Sequence, residues 1–539
     1  MIRTLSLFLS RELWKATGLA LVAFTLVMTV FAIIEPMHKE GLAAGQLASL
    51  LAYTLPVMLS LTLPVAALFA STIVYGRFSQ DNELTACRAS GIATLRLLKP
   101  AMVLGGVVTM VSLTLSNFVT PRMIALGERS IKGNILGIVR QRFRSQNFVE
   151  YSGYFIHADQ VMQFRDTLQL RGVVAADARR REDQRYLTAS TAVVSFSRDQ
   201  GEVYATITLV SPTVSRSSNR DSIEQASMPL PPMAIPEGPL REDVTWYDWP
   251  QLVGTLAEPM KNVSISRDLT KIRRRICHDM VADEIVREIN GGRLYEKLTR
   301  QGDSYSISAV SATKGEGETV ELTGSQEGRQ PVKVVVRRDG RVASTVTADE
   351  ATLEMSWSAE ENASQAMIVL RHGVVVAAPD LRGPAQRRAE WEIGPMDLPL
   401  EARQLAQQIS LEDIFTDAGA FTSNKEILSQ TSSLSKSTIP RLLSRIKAEM
   451  HSRIAYSVSC FLMVVLGAAL GLMFRGGQII SAFALSVVPA AIVIVMMLMG
   501  KQLVRSPSVS TVWGLAVIWS GIILLMGGDT AVLAHLSRK

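Results

Sequence analysis

Apolar residues without a single charge fill six stretches of the chain: Ala16 to Ile34, Leu47 to Tyr75, Ala101 to Thr120, Ile454 to Phe474, Ile479 to Met499, and Val509 to Met526. A helix needs about 20 mostly apolar residues to cross a hydrocarbon core about 30 Å thick. Each stretch is read as such a span, three before a long central segment and three after it. The second exceeds the length of a perpendicular crossing and holds Pro56 and Pro64, which remove backbone donors and predict a tilt or bend. The first follows Arg3 and Arg11 as the core of a signal peptide would. It is longer than a usual h-region, however, and no small-x-small site follows it, so it is read as a retained span.

The central segment, about 121–453, has a different rhythm. In Val203 to Leu209 the apolar Val203, Ala205, Ile207 and Leu209 alternate with polar neighbours, which places one face of a strand inside and the other outside. That strand follows a run from Thr191 to Phe196 across Asp199-Gln200-Gly201. Later, Val332 to Arg338 faces Arg341 to Thr347 across Asp339-Gly340, a hairpin signal. Antiparallel β-structure is expected. Between these β-rich parts Leu269, Ile272, Ile276, Met280 and Ile289 share one helical face. This predicts a helix from Arg267 to Ile289 with Ser266 as N-cap and Asn290-Gly291-Gly292 as stop. The proline-rich stretch Met228 to Pro239 reads as a linker. A further helix should start near Pro440 with Thr438 as cap and run into the fourth span. The expected layout is 1–120 for three spans with a loop at 76–99, 121–453 for the insert, and 454–539 for three more spans.

Charge fixes an orientation. Lys and Arg in short loops resist translocation. One side collects Arg3, Arg11, Lys15, Arg77, Arg88, Arg96, Lys99, Arg475, Arg538 and Lys539; the other has Lys39, Lys501 and Arg505. Both termini should be cytoplasmic, and three crossings then carry the insert to the periplasm of a bacterial inner membrane. The chain of 539 residues has a net charge of +7 and is 47% hydrophobic, too apolar for a cytosolic enzyme. In the insert, Lys and Arg are interleaved with Asp and Glu, so no nucleic-acid partner is expected. The three cysteines, Cys87, Cys277 and Cys460, fall in a cytoplasmic loop, the insert and a span, and no two share an oxidising compartment.

Several chemistries lack their residues. Gly500-Lys501 has neither the earlier glycine nor the following hydroxyl of a phosphate-binding loop, so the chain itself should not hydrolyse ATP. Neither a Gly-x-Ser-x-Gly elbow nor a His-Glu-x-x-His pair occurs, and the histidines lack metal-ligand spacing. Neighbours on one helix, Cys277, His278 and Asp279 point in different directions and are read as structural. The basic run Lys271, Arg273, Arg274 and Arg275 is read as a solvated helix face rather than a phosphate site. No catalytic residue, cofactor or metal is assigned.

Two motifs carry a resemblance. The loop after the second span reads Asp81-Asn82-Glu83-Leu84-Thr85-Ala86-Cys87-Arg88-Ala89-Ser90-Gly91-Ile92. Ser79 can cap a short amphipathic helix there and Gly91 can end it. The fourth span opens with Glu449-Met450-His451-Ser452-Arg453-Ile454-Ala455 and continues through Gly467 and Gly471 to Arg475-Gly476-Gly477. Both patterns, with the three-plus-three layout, resemble the LptF/LptG family of lipopolysaccharide-export permeases. That resemblance implies a membrane α-helical bundle of six transmembrane helices with an inserted periplasmic, β-rich, jellyroll-like domain. The insert is longer than is usual there and carries the extra helical segment at 267–289.

The resemblance also implies a mechanism. Two such permeases would take lipopolysaccharide from the inner membrane while a cytoplasmic LptB-like ABC ATPase dimer supplies the energy. The lipid would pass to an LptC/LptA-like periplasmic bridge. Glu83, Leu84, Arg88 and Gly91 would couple to the ATPase. Lys39, with His38 beside it, is a candidate headgroup contact, and a snorkelling lysine is an equal reading. Glu449 and Arg453, four apart on a helix, can form an ion pair at the outer interface. The alternatives are a subunit of another ABC-type machine for lipoprotein extraction or mechanical signalling, and a membrane-anchored periplasmic binding protein or enzyme. The first usually has its outer domain after the first span; the enzyme reading needs an acid, base or metal cluster in the insert.

Overall fold

The computed structural model describes residues 2–40, 44–132, 149–151, 154–164, 167–177, 185–199, 202–211, 213–216, 219–224, 227–229, 233–234, 243–315, 317–324, 330–358, 363–377, 386–474, 479–506 and 509–538. They fall into two compact units, one of residues 1–142, 237–259 and 440–539, the other of 143–236 and 260–439.

The first unit is the helical bundle. Its chain runs through α1 (Ile2–Glu40), α2 (Ala44–Gln80), the short α3 (Glu83–Ala89) and α4 (Thr94–Leu97), and α5 (Lys99–Thr114). A π-helical turn at Leu115–Val119 leads into α6 (Thr120–Lys132). Among the described residues, six helices are long and apolar enough to cross a membrane. Pro56 and Pro64 both lie inside α2. Pro64 has no amide for the Ser60 carbonyl four residues back. Tyr456 supplies the missing donor, its hydroxyl standing 3.3 Å from Ser60 O and 3.2 Å from Leu61 O.

The other half of the bundle is built from long helices whose numbering follows the insert: α12 (Ile439–Met473), α13 (Ile479–Arg505) and α14 (Thr511–Arg538). Leu9, Leu13, Tyr75, Leu104, Cys460 and Val464 share one core. The backbones of α2 and α12 meet closely. A Cβ on Gly471 would stand 2.8 Å from Thr72 O and 2.9 Å from Gly76 N, so only glycine fits that contact. Within this same unit, the segment with α7 (Trp249–Ala257) packs Val244 and Leu252 on Ile446 of α12.

In the second unit, two sheets and a set of helices form the insert. The first sheet orders its strands β1 (Val149–Tyr151), β2 (Tyr154–Phe164), β3 (Thr167–Asp177), β4 (Arg185–Asp199), β5 (Glu202–Val210) and β8 (Ser227–Pro229), all antiparallel. The expected hairpin is there, with Asp199 opposite Glu202. β6 (Thr213–Arg216) and β7 (Asn219–Glu224) branch from β4, and β9 (Met233–Ala234) joins β5. The expectation of a linker at Met228–Pro239 is therefore corrected in part. Met228 pairs with Leu209 and Met233 with Ala205, because an edge strand tolerates a proline that a central one does not.

The helix α8 (Val263–Asn290) crosses to the second sheet. It starts four residues before the expected Arg267. Asn262, not Ser266, is the N-cap, its side-chain oxygen accepting from Ser264 N at 3.1 Å; the Ser266 amide already makes a helical bond to Asn262 O. The second sheet holds β10 (Tyr295–Arg300), β11 (Asp303–Ser308), β12 (Ser311–Lys314), β13 (Thr319–Thr323), β14 (Val332–Arg338), β15 (Arg341–Ala348), β16 (Glu350–Ser358), β17 (Ala363–Ala377) and β18 (Gln386–Asp397). The β14–β15 hairpin turns as expected at Asp339 and Gly340, with φ of 49° and 77°, the signature of a primed turn. β17 pairs with β16 and then, past a corner at His372-Gly373, with β15, while its other edge takes β18. Since β18 also meets β10, the strands close into a barrel-like ring. Val281, Ile285 and Ile289 of α8 fill its core with Leu298, Val334, Leu353 and Leu370.

Three short helices follow: α9 (Leu400–Gln408), α10 (Leu411–Asp417) and α11 (Lys425–Ser433). Thr438 does not cap a new helix. The backbone is already helical from Lys425, and a π-turn at Leu434–Thr438 joins α11 to α12, with Ile439 N reaching Leu434 O. The wider turn steps the hydrogen-bond ladder past Pro440, which has no amide to give it.

Candidate functional site

The loop after α2 is a small helical device. α3 spans seven residues, and Asn82 at its N-cap takes φ 60° without a side-chain bond. Ser79, the expected cap, lies inside α2 and donates to Leu472 O at 3.2 Å. The reason is that α2 runs one turn longer than its apolar stretch. The end of α3 is as expected: Gly91 takes φ 77°, its amide bonds Arg88 O at 2.9 Å, and Ile92 N bonds Cys87 O at 3.0 Å. This is a Schellman stop, which needs a left-handed residue at the Gly91 position.

The four residues singled out in this loop do not share one environment. Leu84 is 1% exposed, packed among Phe78, Ile92, Leu97 and Leu98. Tyr75 ties the floor of that cluster by donating to Leu97 O at 2.8 Å. Glu83 and Gly91 are exposed and Arg88 is half-exposed, its Nε donating to Thr94 Oγ1 at 3.1 Å. Leu84 thus anchors the helix, leaving Glu83, Thr85, Ala86 and Ala89 facing outward.

The second constellation is a buried ion cluster where α12 meets α13. Arg453 Nε lies 2.9 Å from Glu449 Oε1, and Lys501 Nζ lies 2.9 Å from Glu449 Oε2. One carboxylate faces two cations. The guanidinium also donates to Thr245 O at 2.8 Å, and Arg505 stands 3.4 Å from Asp243. The Glu449 and Arg453 side chains are 8% and 5% exposed. Spacing within one helix pointed to this pair; Lys501 and Thr245 lie far off in sequence and were missed. The signal for Lys501 was topological, since span five ends on the side where span four begins. His38 and Lys39 belong to the last turn of α1, but their side chains lie outside the described residues, as does Arg475.

In the insert, Cys277, His278 and Asp279 diverge as read from the sequence. Cys277 lies in the barrel core, and Ala402 O accepts from its Sγ at 3.6 Å. His278 Nδ1 bonds Glu318 Oε2. Asp279 accepts from Lys314 at 2.8 Å and Thr422 at 2.5 Å. The basic run is not a plain solvated face, which corrects the expectation. Arg274 stacks 3.5 Å over the Trp357 ring, while Arg275 bridges Glu318 and Glu426 at 2.9 and 3.0 Å; β16, the turn before β13 and α11 bring partners that a single helix cannot show. Burial alone would raise the Glu318 carboxyl, but the His278 bond and the Arg275 charge outweigh it and hold it below its ordinary value. Asp279 is likewise held low, burial being outweighed by bonds from Lys314, Thr422 and Asn424. Among the described residues, no three His, Cys, Asp or Glu side chains are placed to hold a metal ion.

No curated protein matches the chain. The family model described as lipopolysaccharide export system permease LptF/LptG matches residues 8–239 and 296–528 and passes over the stretch between them. Because that match runs through all six spans and both sheets, the chain belongs to the LptF/LptG family of lipopolysaccharide export permeases.

Proposed function

We propose that this permease subunit is driven through α3 by a separate ABC-type ATPase. The observation that carries the reading is the division of labour on that helix. Leu84 is fixed in the bundle core while Glu83 and half of Arg88 remain on the surface, so a partner pressing on the exposed side would move the buried side with it. The absence of a phosphate-binding loop in the sequence fits an energy source on another chain.

In this reading the subunit pairs with a second LptF/LptG-type permease, takes lipopolysaccharide from the inner membrane and passes it to a periplasmic LptC/LptA-like bridge. Both termini and α3 face the cytoplasm, and the insert stands in the periplasm, as the Lys and Arg asymmetry of the short loops supports. In the same reading Lys39, with His38 beside it at the outer end of the first span, meets the lipid headgroup. The Glu449–Arg453 pair is then a structural clasp at the outer interface.

The test is affinity purification of the tagged chain from its native membrane in mild detergent, with Glu83→Ala/Arg88→Ala as control. Recovery of an ABC ATPase and a second six-span permease, with only the ATPase lost in the control, supports the assignment. A chain recovered alone, under conditions that keep membrane complexes whole, sinks it.

A further inference from the structure

We propose that the segment Asp243–Ala257, which lies in the stretch passed over by the family model, is a membrane-interface anchor whose partner is the headgroup layer of the lipid bilayer. It falls outside the family match, whose residues stop at 239 and resume at 296. Yet it packs as part of the helical bundle, not of the insert.

Its depth is set by bonds to the spans. Thr245 O accepts from Arg453 of α12 at 2.8 Å, Asp243 pairs with Arg505 at the end of α13 at 3.4 Å, and the turn Val244–Trp246 packs beside α6. Val244 and Leu252 cover Ile446, with Leu442 and Met450 alongside. At the same level of α12, Ser444 receives the hydroxyl of Thr511 at 2.9 Å. Thr511 opens α14, whose next two residues, Val512 and Trp513, are 73% and 69% exposed. An exposed valine and tryptophan at the start of a membrane span mark where hydrocarbon gives way to headgroups. The segment lies at that boundary.

Its composition fits the place. α7, Trp249–Ala257, has no charged residue, and its outward side offers Pro250, Gln251, Val253, Gly254 and Ala257. A helix facing water ordinarily carries charge on that side. The preceding turn adds half-exposed Trp246 and Tyr247, with Trp249 beginning the helix. Tyrosine and tryptophan join an apolar ring to one polar atom and favour the interface for that reason. The helix is held rigid by a capping box: Asp248 accepts from Gln251 N at 2.9 Å, and Gln251 accepts from Asp248 N at 3.0 Å. Such an anchor lies on the membrane rather than through it, and here it is fastened to the fourth and fifth spans.

The experiment places a nitroxide at Val253→Cys in a background with Cys87, Cys277 and Cys460 replaced by alanine, in phospholipid nanodiscs. Collision rates with oxygen and with a water-soluble nickel chelate report depth. Val512→Cys serves as the lipid reference and Val310→Cys, in the insert, as the aqueous one. An oxygen-to-nickel ratio at 253 that matches position 512 and exceeds position 310 several-fold is expected; a ratio equal to that at 310 overturns the anchor. Where the cysteine-free background fails to fold, the unmodified chain is compared with Trp246→Phe/Trp249→Phe for quenching by lipids brominated near the headgroup. The variant should lose a share of that quenching, and an unchanged level overturns the proposal. Depth does not depend on sidedness. Labelling of Glu258→Cys from the cytoplasmic face would leave the anchor standing and overturn the orientation proposed above.

Discussion

The hydroxyl of Tyr456 bonds the carbonyl of Ser60, the group that Pro64 leaves without an amide. A backbone carbonyl inside a bilayer has no water to turn to, so a kinked span must find its donor on a neighbour. Tyr456→Phe should cost about 1–3 kcal/mol, the penalty for an unsatisfied buried acceptor. Thermal unfolding of the detergent-solubilised protein reads the loss. With Pro64→Ala the amide returns, and the tyrosine substitution should then be nearly silent. Additive effects of the two changes would sink this account of the Tyr456 bond.

Glu449 neutralises two cations at once. Glu449→Gln leaves Arg453 buried without its counter-charge and should destabilise the bundle by about 3–5 kcal/mol, as for other broken buried pairs. Lys501→Met should cost less, because the Lys501 side chain is 29% exposed and Arg453 still holds Glu449. Melting temperatures of the two variants should rank in that order; the reverse ranking would show that Lys501 carries the cluster.

Acid should loosen α8 from its neighbours. Glu318 and Asp279 titrate below their ordinary values of 4.5 and 3.8, so folding is favoured while both are ionised. A group depressed on folding contributes fully above its unfolded value and loses that contribution as pH falls through the folded one. Stability of the insert should be flat above about pH 5 and fall below it. Melting followed by Trp357 fluorescence, with Glu318→Gln as comparison, checks the sign. The variant should be less stable near neutrality and show a shallower acid loss.

The proposed ATPase docking through α3 predicts that docking and folding separate on that helix. Leu84→Ala should destabilise the bundle by about 2–5 kcal/mol, the usual range for an emptied core site. Glu83→Ala should leave the melting temperature alone and still release the ATPase. Loss of both together in Glu83→Ala would make that residue structural.

The spans were legible because a charge-free run of some twenty residues has few other uses in a chain. The hairpin at Asp339-Gly340 was legible because its turn needs those residues. Caps were less so. Ser79, Ser266 and Thr438 each had the right chemistry, but Asn262 outranked Ser266, and α2 and the π-turn before α12 swallowed the other two, since helix ends are fixed by packing as much as by local side chains. The partners of Arg274 and Arg275 come from β16, the turn before β13, and α11, and the ring closed by β18 joins Thr299 to Asp397. Nothing local signals pairings of such separation.

Side chains between helices act as a compliant layer, each able to shift by a rotamer before the backbone feels a push. At Gly471 that layer is missing, and Ser79 adds a bond to Leu472 O one residue on. The ends of α2 and α12 therefore share their degrees of freedom. Strain entering at α3, which hangs from the end of α2, has little slack to take up before it reaches α12.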